Sequence, residues 1–200
     1  MIGTLGLRFF RNRLLVLDFV RQRLAIVDRG RRLPDDILDG VAWLPARYEH
    51  GYLFVPFVAA GRPIDDFFFD SGASAFPLTT TTTEWRALTG RADTDLDLVR
   101  YQVSSWGKQL TEIAAPLAGE VVFGPYRFAR PLVFHQREQP DFFTSAPYHL
   151  GGHFGNALFF DRYVVIIDLP GRRFGLLSTR ARPGPSITRA PPRSGALDSR

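Results

Sequence analysis

The sequence predicts an all-β fold with one or two short helices. Three observations carry that reading. The apolar runs are short and rich in β-branched and aromatic residues, and Gly, Pro or Asp breaks them repeatedly. Helical periodicity is confined to two brief stretches. With 200 residues, 18 Phe and 45% apolar side chains, the chain is long enough to bury a sizeable core in one domain.

The strands are expected at "LLVLDF" (14–19), "RLAIVD" (23–28), "YLFVPFVAAG" (52–61), "DDFFFD" (65–70), "LDLVRYQV" (96–103), "TEIAAPLAGEVVFG" (111–124), "RPLVFHQ" (130–136) and "YVVIIDL" (163–169). "VAAGRPIDDF" reads as a hairpin around Gly61, Arg62 and Pro63, while "FVRQRLAI" and "LPGRRFGL" read as turns joining strands. The first helix is expected over "TTEWRALTG" (82–90), with a Thr cap, Glu84 in its first turn and Gly90 as its stop. The second is the short "NALFFDR" (156–162).

An internal repeat organises the ends of the folded part. Residues 3–28 and 152–178 both run Gly-x-x-Gly, a Phe-Phe pair, an Arg, an aliphatic run, an Asp, an apolar residue, an Arg and a further apolar pair. Such self-similarity marks structural duplication. The expected organisation is a strand pair at 1–30 resembling the end of a preceding lobe, a polar linker at 31–44, one lobe at 45–179, and a disordered Arg/Pro-rich tail at 180–200. That tail has almost no large apolar group with which to offset its ordering entropy.

The net charge of +5 is uneven. Residues 1–32 hold eight Arg and two Asp, residues 180–200 hold five Arg and one Asp, and the body between them is left at −5. The basic tail lacks interleaved aromatics, so no specific nucleic-acid partner is expected. No apolar run reaches the roughly 20 residues that span a bilayer. Arg8, Arg11 and Arg13 interrupt the only apolar N-terminal stretch. As written the chain is expected to be cytoplasmic, or periplasmic or secreted if the N-terminus is truncated. With no Cys, disulfides, thiolate zinc sites and thiol nucleophiles are excluded, and no metal or cofactor is expected.

The chemistry-bearing stretch is "IDDFFFDSGASAF" (64–76), where an apolar run stops on Asp70 and passes directly into Ser71, Gly72, Ala73 and Ser74. The plain reading is a turn acid at a strand end. The sharper one is half of a carboxylate pair. Two carboxylates about 3 Å apart cannot both ionise easily, so one serves as a base for water and the other as an acid toward a carbonyl. A Gly beside them lets a second backbone come close.

These residues, with the downstream Gly-x-x-Gly, Phe-rich segment and "VVIIDLPGRRFGL", resemble one lobe of the retropepsin-like, pepsin-fold aspartic proteases over about residues 51–178. The resemblance implies a closed β-barrel lobe with a flap hairpin, and Asp70 as the catalytic aspartate. It implies that the Ser71 hydroxyl locks two active-site loops together and that Ser74 supports the carboxylate within the Asp70–Ser74 motif. It implies a flap over "YQVSSWGKQLTEI" (101–113) with Ser105, Trp106 and Gly107 at its tip, and a floor of Phe154 and Gly155. The activity implied is aspartic-type endopeptidase hydrolysis of a peptide or protein substrate. The second aspartate would come from a homodimer mate or a missing N-terminal lobe, since the chain has no second Asp-Ser/Thr-Gly. The sequence departs from the family by placing His153 and Phe154 where an aliphatic pair normally precedes the Gly. That departure leaves a second reading open: a catalytically inactive lobe acting as a peptide-binding or dimerisation module.

Other candidates read as structural. Ser74 in "GASAF" lacks the second Gly of a nucleophile elbow. His149 and His153 have i, i+4 spacing, but Gly151 and Gly152 lie between them, so a helical metal pair is not expected. "DTDLD" (93–97) places three acids on alternate positions of an expected strand, without the closing Glu of a calcium loop. Asp18 and Asp168, at matching repeat positions, are expected to cap turns, and the Phe-Phe pairs to lie in the core.

Overall fold

A computed structural model describes residues 5–28, 31, 33–105, 107–145, 148–160 and 162–179. Trp106 and the tail at 180–200 lie outside the described residues. The fold is mostly β-sheet with few helices, as composition and strand pattern predict.

The described residues form three sheets. A five-stranded antiparallel sheet runs in the order Arg23–Asp28, Arg13–Asp18, Tyr163–Asp168, Arg173–Ser178, Val41–Pro45. An eight-stranded sheet runs Val99–Ser105, Lys108–Pro116, Leu132–Gln136, Leu78–Thr80, Gly152–Gly155, Phe67–Asp70, Tyr52–Phe54, Arg47–Glu49. A four-stranded sheet runs Tyr126–Ala129, Glu120–Phe123, Phe57–Ala59, Arg62–Ile64. Among the described residues no sheet closes on itself, so the expected closed barrel is replaced by three open sheets. Two of the long expected strands explain this. "YLFVPFVAAG" breaks at Val55-Pro56, where Pro offers no N–H to a ladder, and its halves enter different sheets. "TEIAAPLAGEVVFG" breaks the same way after Pro116.

The first repeat packs against the second. Arg13–Asp18 pairs with Tyr163–Asp168, and Val16 sits opposite Ile166. Those two residues hold equivalent places in the repeat, so the two hairpins are related by a local two-fold through this pair. Their turns match in detail. Asp18 Oδ1 accepts from the Arg21 amide at 2.9 Å, and Asp168 Oδ1 accepts from the Gly171 amide at 2.9 Å. Gln22 and Arg172, again equivalent, both take positive φ, 54° and 50°. The duplicated Phe pairs, however, split in alternate senses. Phe10 and Phe159 are buried, whereas Phe9 and Phe160 are exposed, because each short 3-10 turn turns only one ring inward.

The expected linker is partly structured. Val41–Pro45 is a strand on Arg173–Ser178, with Trp43 opposite Gly175. A Cβ on Gly175 would come within 2.8 Å of the Trp43 ring, so the missing side chain is what admits the indole. The expected hairpin near Gly61 turns one residue earlier than expected, through Ala60 and Gly61, both at positive φ. The helix Thr82–Thr89 is capped by Thr81, whose Oγ1 accepts from the Glu84 amide at 3.2 Å, and Gly90 ends it in the left-handed region. Its Trp85 is fully buried and donates Nε1–H to the Val133 carbonyl at 2.8 Å. The 93–97 acids form turns rather than a strand face, because Asp93 pairs with Arg86, and Asp95 and Asp97 pair with Arg91.

The core between the sheets is aromatic. Phe57, Phe67, Phe69, Phe123, Phe154, Phe159 and Phe174 are buried and meet largely edge to face, the arrangement that ring quadrupoles favour.

Candidate functional site

Asp70 is the last residue of Phe67–Asp70, and the sheet places its neighbours. The strand Gly152–Gly155 lies between Phe67–Asp70, to which it is parallel, and Leu78–Thr80, to which it is antiparallel. Gly155 is thereby opposite Asp70. Between Asp70 and Leu78 the chain loops out and back, and Gly155 is pressed against that loop. A Cβ there would lie 2.0 Å from the Ala73 carbonyl oxygen and 2.3 Å from that of Phe76. Asn156 Nδ2 donates to the Ser71 carbonyl at 2.8 Å, fastening the loop from the closing segment. The sequence reading missed Asn156; its place directly after the closing Gly was the available signal.

The Asp70 side chain is 39% exposed and has two partners. Its Oδ1 accepts from the Gly72 amide at 2.8 Å, a local turn that suits Asp followed by Gly. Its Oδ2 lies 3.5 Å from His153 Nδ1. His153 is set edge-to-face between Phe68 and Phe143, with centroids 5.7 and 5.5 Å away. Its Nε2 is buried and meets no hydrogen-bond partner among the described residues. Burial pushes the imidazole pKa down to about 4, against the smaller opposing pull of the Asp70 charge. The ring is therefore neutral at neutral pH.

The remaining expected residues fall as follows. Ser71 and Ser74 are exposed, and their hydroxyls make no hydrogen bond among the described residues. Ala73 is buried, and its amide bonds the Asp70 carbonyl at 3.2 Å. A Cβ on Gly72 would meet only the Asp70 carboxylate, 3.1 Å away, so no second backbone crowds that position among the described residues. Phe154 is fully buried in the core beneath the site. The expected flap is a real hairpin, Val99–Ser105 with Lys108–Pro116, in which Ser105 pairs with Lys108 and Gly107 turns at φ 77°. Lys108, beside the turn, and Leu110 two residues further along the strand line the site.

These elements enclose a cavity of about 970 Å³ that includes Asp70, Ser71, His153, Lys108 and Leu110. Leu15 from the first repeat and Ile167 from the second, paired across the two-fold, form part of one wall. Tyr52, Phe68 and Phe142 add aromatic surface, and Asp141 is the other acid in the lining. Gln136 also lines it and donates Nε2–H to Glu112 Oε1 at 3.0 Å. Burial raises the Glu112 carboxyl pKa. The Gln136 bond opposes that rise, and the Glu138 charge adds to it. Glu112 Oε2 and Gln136 Oε1 are both buried without a hydrogen-bond partner among the described residues.

Among the described residues no group of three or more His, Asp or Glu is placed to hold a metal ion. His149 instead meets Asp66, Nε2 to Oδ2, at 3.1 Å. No helix among the described residues is long and apolar enough to cross a membrane.

No family model matches the chain, and no curated protein matches it. Among solved structures it is similar to conglutin gamma, a basic 7S globulin from lupine seeds, at 12% identity and a TM-score of 0.41 over 86% of this chain. It is also similar to the basic 7S globulin from soybean, at 9% identity and a TM-score of 0.39 over 84% of this chain. The chain spans about half the length of each, 52% and 50%. Likenesses at these values carry no conclusion about the chemistry of the Asp70 cavity.

Proposed function

We propose that the chain is a single lobe of pepsin-like build that holds an extended, largely apolar peptide segment in the Asp70 cavity without cleaving it. One observation carries this reading: the Asp70 carboxylate is engaged by the Gly72 amide and faced by the neutral His153 ring, and among the described residues no second carboxylate is bonded to it. Metal-free hydrolysis of the aspartic type needs a pair of carboxylates sharing a proton. An acid without a carboxylate partner, in a mixed lining of aromatic, aliphatic and a few polar groups, is suited instead to orient a ligand by accepting a peptide N–H, the usual pattern of a few polar groups in an apolar pocket.

A second reading is supported by the exposure of Asp70. With 39% of its side chain open, a carboxylate brought by a second copy or another lobe can approach it, and an aspartic peptidase would result. The experiment that separates the two is incubation of a mixed peptide library with the protein across acid to neutral pH, read by mass spectrometry. No cleavage is expected from wild type. Cleavage that pepstatin blocks and Asp70→Asn abolishes would establish the peptidase instead.

A further inference from the structure

We propose that the free edge of Arg23–Asp28 is the seat of a second copy of this chain, paired antiparallel about a two-fold axis at Ala25. Arg23–Asp28 is an outermost strand of the five-stranded sheet, and no strand among the described residues pairs with its outer side. It is six residues long, and Leu24 and Ile26 are 60% and 41% exposed. Sheet edges are normally blunted by Pro, by charge or by shortness. Three other edges in this molecule are: Val41–Pro45 and Arg62–Ile64 carry Pro45 and Pro63, and Arg47–Glu49 has three residues, two of them charged. Tyr126–Ala129 is short and carries Arg127, while Val99–Ser105 is a second long edge, with Arg100 in it. Arg23–Asp28 has no such device along its Leu-Ala-Ile-Val centre.

The side-chain pattern selects the partner and the register. A two-fold perpendicular to a sheet keeps the same face of both copies on the same side, so a residue must oppose one of its own parity. Centring the axis on Ala25 sets Leu24 opposite the partner's Ile26, and Ile26 opposite the partner's Leu24. Four exposed apolar side chains then adjoin on one face, and the small Ala25 pair meets at the axis on the other. Centring on Ile26 would leave Leu24 against the partner's Asp28 on that face and lose its contact with Ile26. In the Ala25 register the charge set against an apolar group is Arg23, opposite the partner's Val27, on the other face. Leu24 also rims a shallow cavity of about 510 Å³ with Phe19 and Phe160, which extends the apolar patch beside the axis. The same sheet already contains one junction of this design, between the repeated hairpins at Val16 and Ile166. The proposal is independent of what occupies the Asp70 cavity.

The test uses the whole chain, with light scattering after size exclusion over a wide range of concentration. Wild type is expected to dimerise. Leu24→Lys with Ile26→Lys sets like charges across the axis and is expected to weaken the dimer by about tenfold or more. Leu24→Lys with Ile26→Glu sets opposite charges across it and is expected to restore the dimer. Both variants alter exposed side chains, and unchanged circular dichroism and melting would show that each remains folded. Because the chain has no Cys, Ala25→Cys places one thiol per copy at the axis and is expected to give a covalent dimer on mild oxidation. Asp28→Cys, away from the axis, is expected not to. A wild type that stays monomeric, or a dimer indifferent to the paired lysines, would overturn the proposal.

Discussion

His153 Nδ1 lies 3.5 Å from Asp70 Oδ2, while the other ring nitrogen of His153 is buried without a partner among the described residues. The folded chain therefore resists charging this imidazole, whose pKa falls to about 4 from an ordinary 6.5. A group with a depressed folded pKa binds more protons when unfolded, so stability rises with pH. The contribution is complete above about pH 6.5 and is lost as pH falls toward 4. Nuclear magnetic resonance of the His153 ring is expected to give a midpoint near 4. His153→Leu is expected to flatten the acid limb of the stability curve, and an ordinary midpoint would contradict this.

Glu112 carries the opposite sign. Its carboxyl is raised by burial, so the fold keeps that proton longer than the unfolded chain does. Stability is expected to fall as pH rises from about 4.5 through the higher folded value. Glu112→Gln retains a partner for Gln136 and removes the charge. Denaturant melts across pH are expected to show a flatter profile than wild type, with the variant the more stable at neutral pH.

Gly155 is held by crowding rather than by its backbone angles, since its φ of −110° is open to any residue. Gly155→Ala would drive a methyl into two carbonyl oxygens of the Asp70 loop. A loss of about 3 kcal/mol or more is expected, at or beyond the upper end for overpacked cores, as a lowered urea midpoint.

The duplicated turn caps are expected to differ in weight. Asp168 is buried and bonds both the Gly171 amide and Arg173 Nε, at 2.9 and 2.7 Å. Asp18 makes the matching amide bond and also accepts from Arg21 Nη1 at 3.0 Å, but in a more exposed turn. Asp168→Ala is expected to cost about 2 kcal/mol, the cost of stranding buried groups. Asp18→Ala is expected to cost less than about 1 kcal/mol. Equal losses in chemical denaturation would contradict the difference in burial.

Much of the fold was legible because it is local. The strand 23–28 was bounded correctly, the Thr82–Thr89 helix was marked by its cap and Gly90, and the repeat foretold two hairpins with matching turns. What was hidden depends on distant partners. Gly152–Gly155 has too little side chain to read as a strand, yet it is the strip that joins Asp70 to Leu78–Thr80. Leu78–Thr80 is only three residues long. Asp70 could be singled out because an acid ended an apolar run. That His153 faces it, and that Gln136 and Glu112 form part of the same surroundings, follows only from the register of strands far apart in sequence.

The central claim is most directly tested by titrating an extended apolar peptide into the isotopically labelled protein while mass spectrometry follows the peptide. Saturable shifts of the Gly72 amide and the His153 ring, weakened about tenfold or more by Asp70→Asn, are expected together with an intact peptide. Shifts confined to other surfaces, or a peptide cut in wild type and spared by Asp70→Asn, would contradict a lobe that binds in the Asp70 cavity without cleaving.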